Sequence, residues 1–442
     1  MKDLFFHCAK VIRSRSITVG KASAAVAIAA SLSLPALALA QDGATPPAEP
    51  TSVLEMFTKG KIFGNAKTIY FSSRNNYFSG FDQDTVSIGG NVFYKTARYH
   101  GFSLGLSGFW QQGIAHNNNL AKVDSYLHPN LLGLGEAYGQ WENERFRITV
   151  GNQQLEVPFA NSNDWRMVPP LYQGVTARYG DSNNSITAFG INRFKSYIDN
   201  SFTRQTTYNQ KIDPFGTIGT EATDGFWGVG GARTADLDSV VLKGQAWFVD
   251  YLDYARMTYL EGQVSAKEGI VKPFAAFQFM HEDGDGKELL GKVQSEVYGL
   301  QLGVKRNSIT ASVGYDYITP HSDSYLNGSL VTPYAHNVSS GPFFAQPYLS
   351  STQDLGAGSA YAIDISGAAR ENLFVGGRYS FMDLKPSASA KSWNQSEYLV
   401  YAIYDFGGKL KGFSISDFMA LQTSPVYDNP FWQNRLTLQY NF

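Results

Sequence analysis

Apolar and polar residues alternate with a period of two along most of residues 64–442. That spacing places every second side chain on the same face of a β-strand. The last stretch is the plainest: Leu436, Leu438, Tyr440 and Phe442 alternate with Arg435, Thr437, Gln439 and Asn441. Phe146, Ile148 and Val150 alternate in the same way with Arg145, Arg147, Thr149 and Gly151, and the runs Tyr298–Lys305 and Ile309–Asp316 repeat the pattern. The alternation predicts eighteen strands, near 64–74, 85–97, 101–112, 133–142, 144–154, 171–180, 184–194, 225–233, 239–250, 252–265, 269–281, 294–305, 308–318, 360–368, 371–382, 395–406, 411–421 and 433–442. Segments 184–194, 252–265 and 411–421 alternate imperfectly and are expected to hold bulges.

The connections decide among β architectures. Every second one is a tight turn, such as Arg98-Tyr99-His100, Asn143, Asp181-Ser182-Asn183, Arg306-Asn307 or Gly407-Gly408-Lys409. The others run longer, at 75–84, 113–132, 155–170, 195–224, 282–293, 319–359, 383–394 and 422–432, with one short exception near Tyr251. Alternating short and long links describe an antiparallel meander with two unlike ends, as in outer-membrane barrels with short periplasmic turns and long external loops. Strands of about ten tilted residues span a bilayer, and closing the sheet leaves no unpaired backbone in lipid. The fold expected is therefore an all-β, 18-stranded transmembrane antiparallel barrel with both termini on the periplasmic side. One face of each strand carries Leu, Val, Ile, Ala, Tyr and Phe; the other, rich in Arg, Lys, Gln, Asn, Ser, Thr and Gly, suits a wet lumen. Trp110, Trp141, Tyr179, Trp247 and Tyr317 fall near strand ends, where interfacial girdles belong. A soluble sandwich or propeller would not explain the short/long alternation, and a propeller would repeat about every 40 residues.

The N-terminus changes the compartment. Lys2, Lys10, Arg13, Arg15 and Lys21 precede an apolar run from Ala22 to Leu37, and Ala38-Leu39-Ala40 ends in an export-type cleavage pattern. Residues 1–40 are read as a cleaved signal peptide, because the run is too short and too rich in Ala and Ser for a membrane anchor. Residues 41–60 form a polar, Pro-rich periplasmic leader in which Ser52 caps a short helix through Val53, Leu54, Met56 and Phe57. The barrel then occupies 61–442.

Composition adds exclusions. The chain has 442 residues, 14% aromatic and 17% charged, with a net charge of −2, so neither a disordered chain nor a nucleic-acid binder is indicated. Its one cysteine, Cys8, lies in the signal segment, so neither a disulfide framework nor a Cys-based zinc site is expected.

Residues 155–170 form the third external loop. The stretch carries Gly151 and Gln153 at a strand end, then Pro158, Asn163-Asp164, Arg166, Pro169, Tyr172 and Gly174. This arrangement resembles the OprD-type substrate-specific porin family. The segment Phe57–Tyr77, with Arg74 and Tyr77-Phe78, is similar to the start of that family, and the terminal Phe442 resembles the usual barrel ending. The resemblance covers most of residues 53–442, loops 195–224 and 319–359 excepted. It implies an 18-stranded barrel whose third loop folds inward and narrows the lumen. It also implies passive, selective passage of small solutes, often amino acids or organic acids, along a row of basic groups opposed by acids. Guanidinium suits that task because it stays charged and meets a carboxylate bidentately.

By period, the lumen-facing bases are Arg145, Arg147, Arg178, Lys243, Lys272, Lys305, Arg378 and Arg435. Asn163, Asp164 and Arg166 lie on the constriction loop, and Asp316 and Asp364 could supply the opposing acid near the seventh loop. Any of these charges could instead pair with a neighbour and brace the wall, Arg145 and Arg147 above all. The loop His281–Glu288 has the look of a small calcium loop without a full twelve-residue pattern, and a solvated acidic loop is the plainer reading. Gly228-Val229-Gly230-Gly231 precedes no helix and is read as barrel wall, not a dinucleotide site. No cofactor, catalytic group or metal is expected. The expected partners are a small-molecule solute, outer-membrane lipid and lipopolysaccharide, and the barrel-assembly machinery through Phe442; no nucleic acid is expected, and the assembly is a monomer or a loose trimer. Two other functions share the barrel: a general diffusion porin without strong selectivity, and a hydrolase with a Ser or Asp paired to a rim His such as His128 or His281.

Overall fold

The computed structural model describes residues 49–442 except 78, 115–116, 128, 163–165, 211–220, 336–341, 346, 348–355 and 386–393. The signal segment and most of the leader therefore lie outside the described residues, as do Asn163, Asp164 and His128.

The chain enters through a short helix, Val53–Thr58, capped by Ser52, whose Oγ accepts the Glu55 N–H at 3.2 Å. Glu55 reaches back to the Thr51 N–H at 2.8 Å, and that bond together with Lys59 pulls its carboxyl down to about 2.

Twenty strands follow among the described residues. They are β1 (Lys61–Arg74), β2 (Gln83–Lys95), β3 (Phe102–Ile114), β4 (Leu131–Glu142), β5 (Phe146–Gln153), β6 (Glu156–Val157), β7 (Ala160–Asn161), β8 (Leu171–Gly180), β9 (Asn184–Lys195) and β10 (Phe226–Asp236). The second half holds β11 (Val240–Tyr251), β12 (Ala255–Ala266), β13 (Lys272–Gly284), β14 (Gln294–Arg306), β15 (Ile309–Ile318), β16 (Gly358–Arg370), β17 (Leu373–Leu384), β18 (Gln395–Asp405), β19 (Phe413–Thr423) and β20 (Phe431–Asn441). The pair β6–β7 is a small separate hairpin. The other eighteen strands form one antiparallel meander, closed by β1 against β20 from Asn65↔Asn441 to Arg74↔Trp432. Closure pairs both edges of the barrel sheet, so among the described residues no barrel strand leaves an open edge in lipid.

Each of the eighteen sequence-predicted segments corresponds to one barrel strand, with ends displaced by a few residues. Short turns gather at one rim (143–145, 181–183, 307–308, 371–372), and long loops gather at the other, among which Leu252-Asp253-Tyr254 is the short exception. The expected bulge in 184–194 is present: Gln173↔Arg193 is followed by Gly174↔Ile191, leaving Asn192 unpaired. The segments 252–265 and 411–421 instead run in regular ladders, and irregularities occur at Leu106/Gly108 and Ala368/Arg370. Trp247 also departs from expectation, because it faces inward into the apolar packing and not toward an interface. Its ring lies over Gly230 of the next strand, where a Cβ would stand 2.1 Å from the indole. Gly376 accommodates Tyr401 in the same way.

The main apolar core sits inside the barrel, not between layers. It gathers inward residues from the long-loop halves of β8–β15, including Tyr172, Phe226, Tyr251, Tyr259, Met280 and Val297. Loop residues Leu155, Phe159, Tyr208, Tyr254, Leu330, Tyr334 and Phe343 complete it. The expectation of a uniformly polar inner face thus fails over this arc, because folded-in loops supply the apolar partners.

Candidate functional site

Loop 154–170 leaves β5, folds as the β6–β7 hairpin and crosses the lumen before β8. On one side Phe159 packs edge-on against Tyr259 of β12 at 6.2 Å and Phe343 of loop 319–357 at 5.6 Å. On the other side Arg166 and Met167 reach the β1–β2 wall, where Lys67 Nζ donates to the Arg166 carbonyl at 3.3 Å and Met167 lies against Gly89. Three strands separate β8 from the contact on β12, and two separate β5 from the β2 wall, so the loop divides the lumen into an upper and a lower part.

Loop 319–357 is drawn in by three wall residues with ionisable side chains. Asp316 of β15 accepts the Ala345 N–H at 2.5 Å and Gln278 Nε2 at 2.8 Å. Glu282 of β13 accepts the Val331 N–H at 2.7 Å. Arg378 of β17 donates to the Phe344 carbonyl at 2.9 Å, to Ser380 Oγ at 3.0 Å and to Asp364 at 3.1 Å. Backbone groups of the loop thereby find partners away from water, as burial requires. Tyr334 sits deeper, stacked on Phe226 at 4.4 Å with its hydroxyl 2.8 Å from Thr223, and burial pushes its phenol up.

Where loop 154–170 meets the polar wall, cations converge. The Arg166 guanidinium lies 4.6 Å over the Tyr126 ring and 3.7 Å from Asp124, both in loop 115–130. Arg435 of β20 stands over Phe71 at 5.8 Å, and Phe71 packs in one cluster with Met167, the neighbour of Arg166. Lys67 lies four positions along β1 from Phe71, the partner of Arg435, which is roughly 13 Å along the strand. All three cations are almost buried. The neighbouring wall is amide- and hydroxyl-rich, with Asn65, Thr85, Ser87, Gln111, Gln433, Thr437 and Gln439 pointing inward.

Below the loop, toward the short-turn rim, lies a recess of 540 Å³ lined by Lys95, Glu136, Gln140, Arg147, Gln154 and Arg178 among others. Arg147 pairs with Glu142 at 2.8 Å, and Arg178 donates to the Asp181 carbonyl at 2.9 Å.

The sequence-predicted bases therefore do not form one continuous row. Arg166 and Arg435 come together at the constriction, while Arg378 and Asp364 form an ion pair that, with Asp316, holds loop 319–357. Arg147 and Arg178 line the lower recess, and Arg145 lies in the turn beside them. Lys243 is half-buried on β11 opposite Gln263 of β12, and Lys272 and Lys305 face each other at the short-turn rim.

Four participants escaped the sequence reading. Lys67 occupies an inward position of β1 between Asn65 and Ile69, so the period could have found it. Glu282 was missed because its strand extends to Gly284 and not only to 281. Asp124 and Tyr126 lie in a loop with no periodic signal. Among the described residues no group of three His, Cys, Asp or Glu is placed to hold a metal ion. In the acidic loop, Asp285 accepts from Arg256 and from the Asp253 N–H, and His281 meets Asp283 at 2.8 Å.

Comparison with known proteins places these features. Residues 141–442 match the family model described as outer membrane porin, OprD family. A BenF-like porin from Pseudomonas fluorescens Pf-5 shares the fold at a TM-score of 0.73 and 13% identity, covering 88% of this chain and 99% of that one. OpdK of Pseudomonas aeruginosa, solved with vanillate, gives 0.69 and 13%, with coverage of 88% and 99%. OccAB4 of Acinetobacter baumannii gives 0.69 and 17%, with coverage of 87% and 98%. No curated protein matches the sequence significantly.

Proposed function

The chain belongs to the OprD family of outer-membrane porins, and from that premise we propose that it passes small carboxylate-bearing solutes selectively and passively through its lumen. It is a channel protein of the bacterial outer membrane. The gathering of Lys67, Arg166 and Arg435 along the polar wall where the inward loop meets it carries the reading. A carboxylate arriving there meets two guanidinium groups in a low-water site, where charge-assisted hydrogen bonds are shorter and stronger than neutral ones. Its residence must stay brief for flux, so weak binding at several points serves better than one tight site. The lower recess, with Arg147 and Arg178, offers the next such point toward the periplasm. The fold neighbour solved with vanillate, an aromatic carboxylate, carries the fold and not the solute at 13% identity. Residues 1–40 serve export, and Phe442, whose backbone pairs with Gly64, is proposed as the assembly signal.

Planar-bilayer recording across aromatic acids, dicarboxylates, amino acids and neutral sugars tests the proposal. Carboxylates are expected to interrupt the chloride current. Arg166→Ala is expected to lower the anion-to-cation permeability ratio by about five-fold, which corresponds to one hydrogen bond of about 1 kcal/mol. Equal passage of sugars and salts without carboxylate competition would leave a general diffusion pore.

A further inference from the structure

The lipid-facing wall of β11–β16 is indented. An apolar groove of 830 Å³ runs across it, lined by Val264, Ala275, Leu302, Val304, Val313 and Ile363. The large side chains stand out from the wall, Leu302 at 48% and Ile363 at 59% exposure, while Ala275 and Ala311 leave the floor low between them. The groove lies in the short-turn half of these strands, as its lining by Val240, Ala266 and Pro273 shows. In this family's setting that half faces the periplasmic leaflet.

Two arginines close the lower edge of the groove. Arg306 ends β14 opposite Ile309, which is 51% exposed on the outer face, so Arg306 shares that face. Arg370 ends β16 and would follow the inward-facing Ala368 by two positions. The irregularity at Ala369 instead sets Arg370 opposite Leu373, on the outer face of β17. A bulge that re-aims a side chain in this way is a built feature. Both arginines are exposed, and among the described residues neither has a side-chain hydrogen bond or ion pair. They lie two strands apart and three residues out of register, roughly 14 Å between Cα atoms, a gap that two extended arginine side chains can close on one phosphate. Glu371 and Glu268 are the acids in these turns, and Lys267 of the next turn is already held by Asp236 at 2.5 Å.

From this juxtaposition we propose a binding site for one acidic glycerophospholipid of the periplasmic leaflet. An acyl chain fills the groove, and the phosphate is held by Arg306 and Arg370. Guanidinium meets phosphate in the same forked geometry that it offers a carboxylate. A neutral hydrocarbon surface would need no cations at this edge.

Native mass spectrometry of the purified barrel, titrated with phosphatidylglycerol and separately with phosphatidylethanolamine, tests the site. One phosphatidylglycerol is expected to be retained per chain, several-fold more strongly than phosphatidylethanolamine. Arg306→Gln is expected to reduce phosphatidylglycerol retention roughly five-fold, the effect of one basic group at an anionic surface. Ala275→Phe, which points outward into the groove, is expected to weaken both lipids. Unchanged single-channel conductance in both variants is the control for intact folding. Equal retention of the two lipids by the native chain, or phosphatidylglycerol retention unmoved by Arg306→Gln, would overturn the proposal. A dimer dispersed by Ala275→Phe would also overturn it and assign the groove to a second copy.

Discussion

Two arcs of the same barrel wall use the same alternation for opposite ends. On β8–β15, in the long-loop half, inward positions hold Tyr172, Phe226, Tyr251, Tyr259 and Met280, which loops 154–170 and 319–357 cover with Phe159, Leu330, Tyr334 and Phe343. On the arc from β20 through β1 to β5, inward positions hold Gln439, Arg435, Lys67, Asn65, Ser87, Gln111 and Gln140, with a smaller apolar cluster around Ile69, Phe109 and Met167. One arc is a core and the other is a path. A barrel this wide would otherwise enclose an open channel. Packing one arc with loops narrows the lumen eccentrically and presses the remaining space against the cationic wall. Selectivity then depends on the core, because the core sets where the loops stop.

The largest expected effect therefore comes from the packed arc. Phe159 is wholly buried between Tyr259 and Phe343 at the tip of the constriction loop. Phe159→Ala is expected to destabilise the barrel by about 3–5 kcal/mol. Urea unfolding in vesicles measures the loss, and conductance should rise as the loop slackens. An effect below about 1 kcal/mol would mean that this arc is wet and the comparison fails.

Next in size is the tether between arcs. Asp316→Ala leaves the Ala345 N–H and Gln278 without their acceptor, a loss of about 1–3 kcal/mol. Because the tether holds a loop and not a strand, most of the effect should appear as flicker in single-channel records, with the unfolding midpoint moving less than for Phe159→Ala. A quiet channel would show that Arg378 and Glu282 alone position the loop.

Much of this contrast was hidden from the chain, for a physical reason. Period two reports which face a residue takes, and it located all eighteen strands. It does not report what covers that face. Tyr251 and Tyr259 read as ordinary alternation, and only the return of Tyr334 and Phe343 from loop 319–357 makes their side of the wall dry. Arg378 and Asp316 face inward, yet facing inward does not distinguish a solute contact from a loop tether. Arg166 stood out because its loop motif named it, whereas its partners Asp124 and Tyr126 lie in a loop whose fold no local pattern encodes.

Within the polar arc the cations themselves can be graded. Lys67→Met removes an ammonium that also holds the Arg166 carbonyl. It is expected to lower anion preference about two- to five-fold and to shift the Arg166 effect, because residues sharing a contact do not add independently. The double variant with Arg166→Ala, recorded in the same bilayers, reads that coupling. Additive effects would separate the two residues into independent points along the path.

The smallest effect belongs to the short-turn rim. Lys272 and Lys305 sit opposite each other, but Lys272 is exposed and far from the constriction. A charge there acts on arriving or departing ions through water and salt, and the Debye length shortens from about 10 Å at 0.1 M to about 3 Å at 1 M. Lys272→Ala is expected to change anion preference by less than two-fold at low salt and not at all at 1 M. Arg166→Ala, in a nearly buried site that salt screens poorly, should keep most of its effect at both concentrations. The same salt series on the two variants therefore separates a rim that steers from a constriction that selects. Equal salt sensitivity of the two would place Arg166 in open water and remove the distinction on which the eccentric path rests.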